Sequence, residues 1–264
     1  MKVLMINSVC GIRSTGRICT DLAESLEAKG HECKIAYGRE QVPEKHKKYA
    51  VRIGTDLSLK LHGLKARLFD AAGFGSAHAT RQFVKWIQKY DPDVIHLHNI
   101  HGYYINIEIL FNYLKQAKKP VIWTLHDCWA FTGHCCDINS CDKWKFLCND
   151  CPKKGTYPKS FVDRSKRNYA KKKKLFCGLE NLTVITPSVW LADLAKQSFL
   201  GEYSIQVINN GIDTTVFRPT PSDFREKNGL KNKKIVLGVA SAWSKNKGFF
   251  DSNLYKFVSK KKNP

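Results

Sequence analysis

Two short apolar runs, Val94 to Leu97 and Val121 to Leu125, restrict what this chain can fold into. Pro92 stands before the first and Pro120 before the second, and the residues between them carry apolar positions at helical spacing. Strand, helix, strand at that spacing is a crossover unit of a parallel sheet, because parallel neighbours cannot be joined by a tight turn. In such sheets ligands bind beyond the carboxyl ends of the strands. Here those ends carry His96, His98, Asn99 and His101 after the first run, and His126 with Asp127 after the second.

The alternation extends to both sides. Residues 2–6 form an apolar strand, and a loop containing Gly11 and Gly16 opens a helix in which Ile18, Leu22, Ala23 and Leu26 repeat until Gly30. A strand follows at 33–38. The loop glycines allow backbone amides to approach an anion at the helix N-terminus, with a tight turn that binds nothing as the equal alternative. Their spacing is not the dinucleotide fingerprint. Residues 40–80 are a polar, basic excursion with a weak helical pattern through Leu57, Leu61, Leu64, Leu68 and Phe69, either a surface flap or a packing helix.

A helix at 79–89 precedes the first run, and the pattern returns with a strand at 181–188, a helix at 190–199 with Ser188 as its N-cap, and a strand at 205–213. Composition changes after Arg218-Pro219-Thr220-Pro221. The predicted fold is therefore α/β: a Rossmann-like parallel sheet flanked by helices over 1–218, then the start of an incomplete second α/β domain over 219–264. A short basic helix and a strand at Ile235–Ala240 open that second domain.

At 264 residues and 43% hydrophobic the chain can bury a core, and its net charge of +21 calls for an anionic partner. Nucleic acid is the weakest choice, since the basic run 159–174 belongs to no recognisable recognition fold. That run reads as a solvated helix face or as a docking surface for anionic lipid headgroups or a substrate diphosphate. The N-terminal apolar run is too short for a secretion signal, and no stretch reaches the roughly 18 apolar residues of a membrane span. The expected location is the cytoplasm, peripherally at the inner face of the membrane, where the ten cysteines stay reduced.

Six of those cysteines fall within the polar loop 128–151, five of them at 135–151. Cys148 and Cys151 have C-x2-C spacing, and Cys141 with Cys135 or Cys136 completes a four-thiolate set for a structural zinc, Cys135 being the one assigned. The competing reading is unligated thiols packed among Trp129, Phe131, Trp144 and Phe146.

Taken together, the loop Val9–Arg17, GHECKIAYGR, DVIHLHNIHGYY, WTLHDCWAFTGHC, the cysteine loop, TPSVWL, VINNGID and VFRP resemble the N-terminal half of family 4 glycosyltransferases, closest to the colanic-acid and exopolysaccharide type. The resemblance implies a GT-B fold and retaining, metal-independent transfer of a sugar from a nucleotide sugar to a glycan or lipid-linked acceptor, with no cofactor required. It places Gly16 and Arg17 toward the donor diphosphate and His98 in the catalytic cleft beside Asn99. His126 and Asp127 line the acceptor side, Asn210 and Gly211 face the cleft, and Lys247 before Gly248 meets the donor phosphates. Ser241 stands where the family often has Arg, and the Glu-x7-Glu element of the second domain is missing. The expectation is a truncated copy with impaired activity; the alternative is a non-catalytic acceptor-binding module or one half of a split transferase.

Overall fold

A computed structural model describes residues 1–138 and 141–235. Seven strands form one sheet: β1 (Lys2–Ile6), β2 (Glu32–Tyr37), β3 (Ala50–Arg52), β4 (Val94–Leu97), β5 (Val121–Thr124), β6 (Leu182–Thr186) and β7 (Ser204–Val207). Their order is β3-β2-β1-β4-β5-β6-β7, and every pairing is parallel. Successive crossovers run outward in one direction from β1 to β3 and in the other from β4 to β7. The reversal lies between β1 and β4, the point at which open parallel sheets bind ligands beyond the strand ends.

Helices cover both faces, as a parallel sheet requires. On β1, Val3 and Met5 pack with Cys19 and Ala23 of α1 (Arg13–Glu27), whereas Leu4 and Ile6 enter the larger core on the other face. That larger core takes its apolar residues from α3 (Ala77–Tyr90), α4 (Ile107–Ala117), α5 (Ser165–Phe176) and α6 (Val189–Lys196). An aromatic trio locks α4, β5 and α5 together: Phe111 lies 5.5 Å from Trp123 and 4.4 Å from Phe176, and Trp123 meets Phe176 edge-on at 5.0 Å. Ser188 caps α6 through Leu191 N–H, as its position after Pro187 predicts.

One strand is new and three predicted elements change. The strand β3 escapes sequence reading because three residues are too few to show a period. Helix α1 begins at Arg13, so that Gly16 is inside the helix and not in the loop. Strand β7 ends at Val207, well short of 213. The basic run is not one solvated helix: α5 starts at Ser165, where Asp163 Oδ1 accepts the Ser165 N–H, and its Lys172 is buried.

The chain divides into two compact units, 1–211 and 212–264. In the second, the described residues carry the single-turn helix α7 (Phe224–Lys227). The strand expected at Ile235–Ala240 falls outside the described residues after Ile235, as do Ser241, Lys247 and Gly248.

Close approach at the end of β2 sets one strict requirement. A Cβ on Gly38 would lie 1.9 Å from Cβ of Tyr104, whose buried hydroxyl bonds the Asn99 carbonyl at 2.8 Å. Replacing Gly38 with Ala is expected to push Tyr104 out of place and cost about 1–3 kcal/mol, read from the urea midpoint. An unchanged midpoint would show that this contact yields freely.

Candidate active site

Strand ends position the polar groups. Asn7 follows β1 and is fully buried; its Nδ2 donates to the Val9 carbonyl at 2.8 Å, and its Oδ1 accepts the Asn99 N–H at 3.2 Å. One side chain thus ties the β1 loop to the β4 exit, across the point where strand order reverses. His98 N–H bonds the Ile6 carbonyl at 2.9 Å, continuing the ladder one residue past β4.

Parallel pairing then dictates which side chains meet. The β4–β5 register pairs Ile95 with Val121, His96 with Ile122 and Leu97 with Trp123, an offset of 26 residues. His101 and Asp127 share this offset, and His101 Nε2 lies 2.8 Å from Asp127 Oδ2. The other carboxylate oxygen, Oδ1, accepts the Trp129 N–H at 2.8 Å. Burial pushes the Asp127 carboxyl up, but the His101 charge and hydrogen bond, with the Trp129 amide, outweigh it and hold it below the ordinary carboxylate range. Tyr157, from beyond the cysteine loop, brings its hydroxyl to 3.3 Å from His101 Nδ1. Both members of the pair are partly exposed, so this dyad can reach a ligand.

His98 is placed differently. It is 2% exposed and sits in a stack with His96 at 4.1 Å and His126 at 5.3 Å. Its Nδ1 lies 3.0 Å from His126 Nε2, and its Nε2 is buried without a hydrogen-bond partner. His96 Nε2 meets Thr124 Oγ1 at 2.8 Å. Burial drives all three imidazoles down, His96 and His126 to about 4 and His98 well below the usual value; His126 adds repulsion on His96 and, with His96, on His98, while on His126 the pull of Asp127 opposes the repulsion from His101.

A family model for glycosyltransferase family 4 matches residues 15–216, most of the chain and nearly all of the sheet. The chain belongs to glycosyltransferase family 4. It is 28% identical over 225 residues to the putative colanic acid biosynthesis glycosyl transferase WcaC of Escherichia coli, covering 81% of this chain and 55% of that protein. The chain therefore spans about half the length of this curated relative. Sucrose-phosphate synthase from Thermosynechococcus elongatus superposes with a TM-score of 0.53 at 14% identity, over 87% of this chain and 52% of that one. Anabaena HepE in complex with UDP and glucose matches over 87% of this chain and 50% of that one, at 16% identity and a TM-score of 0.43.

Within this family 4 chain the remaining sequence-predicted residues are dispersed. Gly16 lies on the buried side of α1, where a Cβ would stand 3.0 Å from Val9 and 3.2 Å from the Gly11 nitrogen, while Arg17 is exposed. Helix α1 has neither a side-chain cap nor an acidic residue in its first turn. Asn210 and Gly211 are exposed beyond β7, two strands over from β5. Cys135, Cys141, Cys148 and Cys151 line one small pocket together with His134, and Cys135 and Cys151 are hydrogen-bonded through their thiols. Trp129, Phe131 and Trp144 are buried around that loop, but Phe146 is 82% exposed. Among the described residues, the one set of three potential ligand atoms mutually within 4.8 Å is His101, Asp127 and Cys136.

Sequence reasoning missed Asn7, Tyr157 and Lys172. The Lys172 ammonium is buried, donating to the Trp129 and Thr132 carbonyls at 2.7 and 3.0 Å, and it lies over the Trp129 ring. Burial lowers it to about 7 against the opposing pull of neighbouring thiols and Asp70. Its place in a lysine-rich run conceals this role. The His101–Asp127 pair follows the offset of 26 that the β4–β5 register sets, which the sequence does not display.

The histidine stack makes stability depend on pH. Folding holds His96, His98 and His126 neutral, whereas the unfolded chain binds their protons near pH 6.5. The stabilisation is complete above about 6.5 and drains away as pH falls toward about 4. Urea midpoints measured between these limits are expected to fall steadily with pH, and His96→Gln to flatten part of the slope. A flat wild-type profile would contradict the buried, neutral stack.

Proposed function

We propose that this chain supplies the acceptor-binding half of a retaining glycosyltransferase that moves a sugar from a nucleotide sugar to a glycan or lipid-linked acceptor. The relative's name points to surface polysaccharide assembly as the setting. The observation that carries the reading is the His101–Asp127 dyad, partly exposed at the carboxyl end of β4 and β5 in a family 4 fold.

The chemistry needed on this side is modest. An acceptor hydroxyl must be oriented and its proton received or shared as the new glycosidic bond forms. Asp127 fixes the His101 ring through Nε2, and the Nδ1 edge, shared with the Tyr157 hydroxyl at 3.3 Å, is the side offered to a sugar. The buried His98 lies behind this pair and orders the edge through its stack, so its contribution is positional. On the donor side, the uncapped N-terminus of α1 leaves amides and the positive end of the helix dipole free for a diphosphate. Arg13, at the first turn, is engaged by Glu40 at 2.7 Å, and Arg17, one turn on, is exposed and forms no ion pair among the described residues.

Isothermal titration of the chain with oligosaccharides and with nucleotide sugars tests this reading. Oligosaccharide binding is expected, weakened about tenfold by Asp127→Asn, which removes one charge-assisted hydrogen bond worth ~1.4 kcal/mol or more. Binding of no glycan at all, or equal affinity in the variant, would overturn it.

We propose further that the cysteine loop takes a structural zinc on Cys135, Cys141, Cys148 and Cys151, which line one pocket and would have to draw together around the ion, since no three of their sulfurs lie mutually within 4.8 Å. His134 is a further donor there: Asp70 fixes its Nδ1 at 2.5 Å, and its Nε2 is buried with no partner. Metal analysis of the purified chain is expected to find about one zinc per molecule. A zinc-free chain with an unaltered melting temperature in chelator would rule the ion out.

A further inference from the structure

The leucines of α2 (Asp56–Phe69) point away from the protein. Leu57, Leu61, Leu64 and Leu68 recur at helical spacing along one side and are 67%, 58%, 55% and 40% exposed. The inward side of the helix is occupied by His62 and Ala66. A core-packing helix would show the reverse, so the apolar stripe is available to something else.

Two exposed phenylalanines enlarge the stripe. Phe69 ends α2, and Phe161 is held beside it where its N–H donates to the Arg67 carbonyl at 2.8 Å. Each has a guanidinium over its ring, Arg164 on Phe69 at 5.6 Å and Arg67 on Phe161 at 5.2 Å. Next to them opens a basin of about 260 Å³ between α2 and α5, with Lys65, Arg164, Arg167 and Lys171 at its walls. Its two carboxylates do not neutralise it. Asp70 is buried and committed to His134 and to the Arg164 N–H, and Glu108 reaches only Lys171, at 3.9 Å. Among the described residues, Lys65, Arg164 and Arg167 form no ion pair with a carboxylate.

We propose that α2 is an interfacial helix that lies in the surface of an anionic phospholipid bilayer, its leucines among the acyl chains and the adjoining basin receiving lipid phosphates. Apolar stripe and unpaired cations on one surface are the two elements such binding needs, each too weak alone. Guanidinium groups suit the basin, because they can take phosphate oxygens in pairs. The sequence expectation put membrane contact on the run 159–174; the structure splits that run, turning Lys172 inward and leaving Arg164, Arg167 and Lys171 at the basin.

Helix α2 is also joined to the candidate active site. His62 Nδ1 meets Ser76 Oγ at 2.9 Å, Ser76 Oγ donates to the Tyr103 carbonyl at 3.1 Å, and the His62 ring packs edge-on against Tyr103. Docking through α2 therefore holds the β4 loop, with His101, close to the membrane surface. The inference does not rest on the transferase reading, since lipid binding is measured with neither donor nor acceptor present.

Co-sedimentation with vesicles of phosphatidylcholine alone, or with about 30% phosphatidylglycerol, tests the proposal. Binding is expected only to the anionic vesicles. A triple variant Leu57→Ser, Leu61→Ser, Leu64→Ser and a double variant Arg164→Gln, Arg167→Gln should each reduce it at least about tenfold, both with unchanged circular dichroism. Absence of vesicle binding overturns the proposal. So does binding that the leucine variant leaves intact, which would mean adsorption by charge elsewhere. A dimer that the leucine variant disrupts, with no lipid binding, would assign the stripe to a second copy of the chain.

Discussion

The Asp127 carboxylate is the group on which the candidate site depends. One oxygen receives the Trp129 amide and so shapes the turn leaving β5; the other holds His101 on the loop leaving β4. Two segments that the sheet merely brings near each other are thereby fixed to within a hydrogen bond. Asn7 performs the same service one strand away, between β1 and β4. Both are buried or half-buried polar groups with their bonds satisfied, which is what makes a polar edge rigid instead of costly. Lys172 adds the third tie, clamping the start of the cysteine loop to α5 through two carbonyls.

These ties separate two kinds of histidine. Of those on or just past the strands, His98 is enclosed and His96 and His126 are half-buried, and burial keeps all three neutral. The one that rides on a loop, His101, is accessible and carboxylate-backed. Of these histidines, His98 is closed off inside the sheet edge, while His101 on its loop is partly exposed with a carboxylate behind it.

Much of the fold could be read from the chain because its signals were local. Pro-bounded apolar runs, glycine stops and Ser188 marked six of the seven strands and most of the helices; β3 was too short to carry a period. Orientation was harder. The leucines of α2 have the spacing of a packed face and yet are exposed, and Lys172 has the company of a solvated run and yet is buried. Which side of a helix faces the sheet is decided by its neighbours, here by the Ser76–His62 bond and the Trp129 ring, and these lie far away in sequence. The site was half legible for the same reason: the residue types at the strand ends were evident, but the pairing of His101 with Asp127 needed the register of β4 on β5.

Site-resolved carbethoxylation of histidines, followed by peptide mass spectrometry with and without a bound oligosaccharide, tests most directly whether the sugar meets the chain at this dyad. The account predicts that His101 reacts in the free chain and is protected by the glycan, while His96, His98 and His126 stay unreacted in both states. Modification of His98 ahead of His101, or a His101 rate that the glycan leaves unchanged, would contradict it.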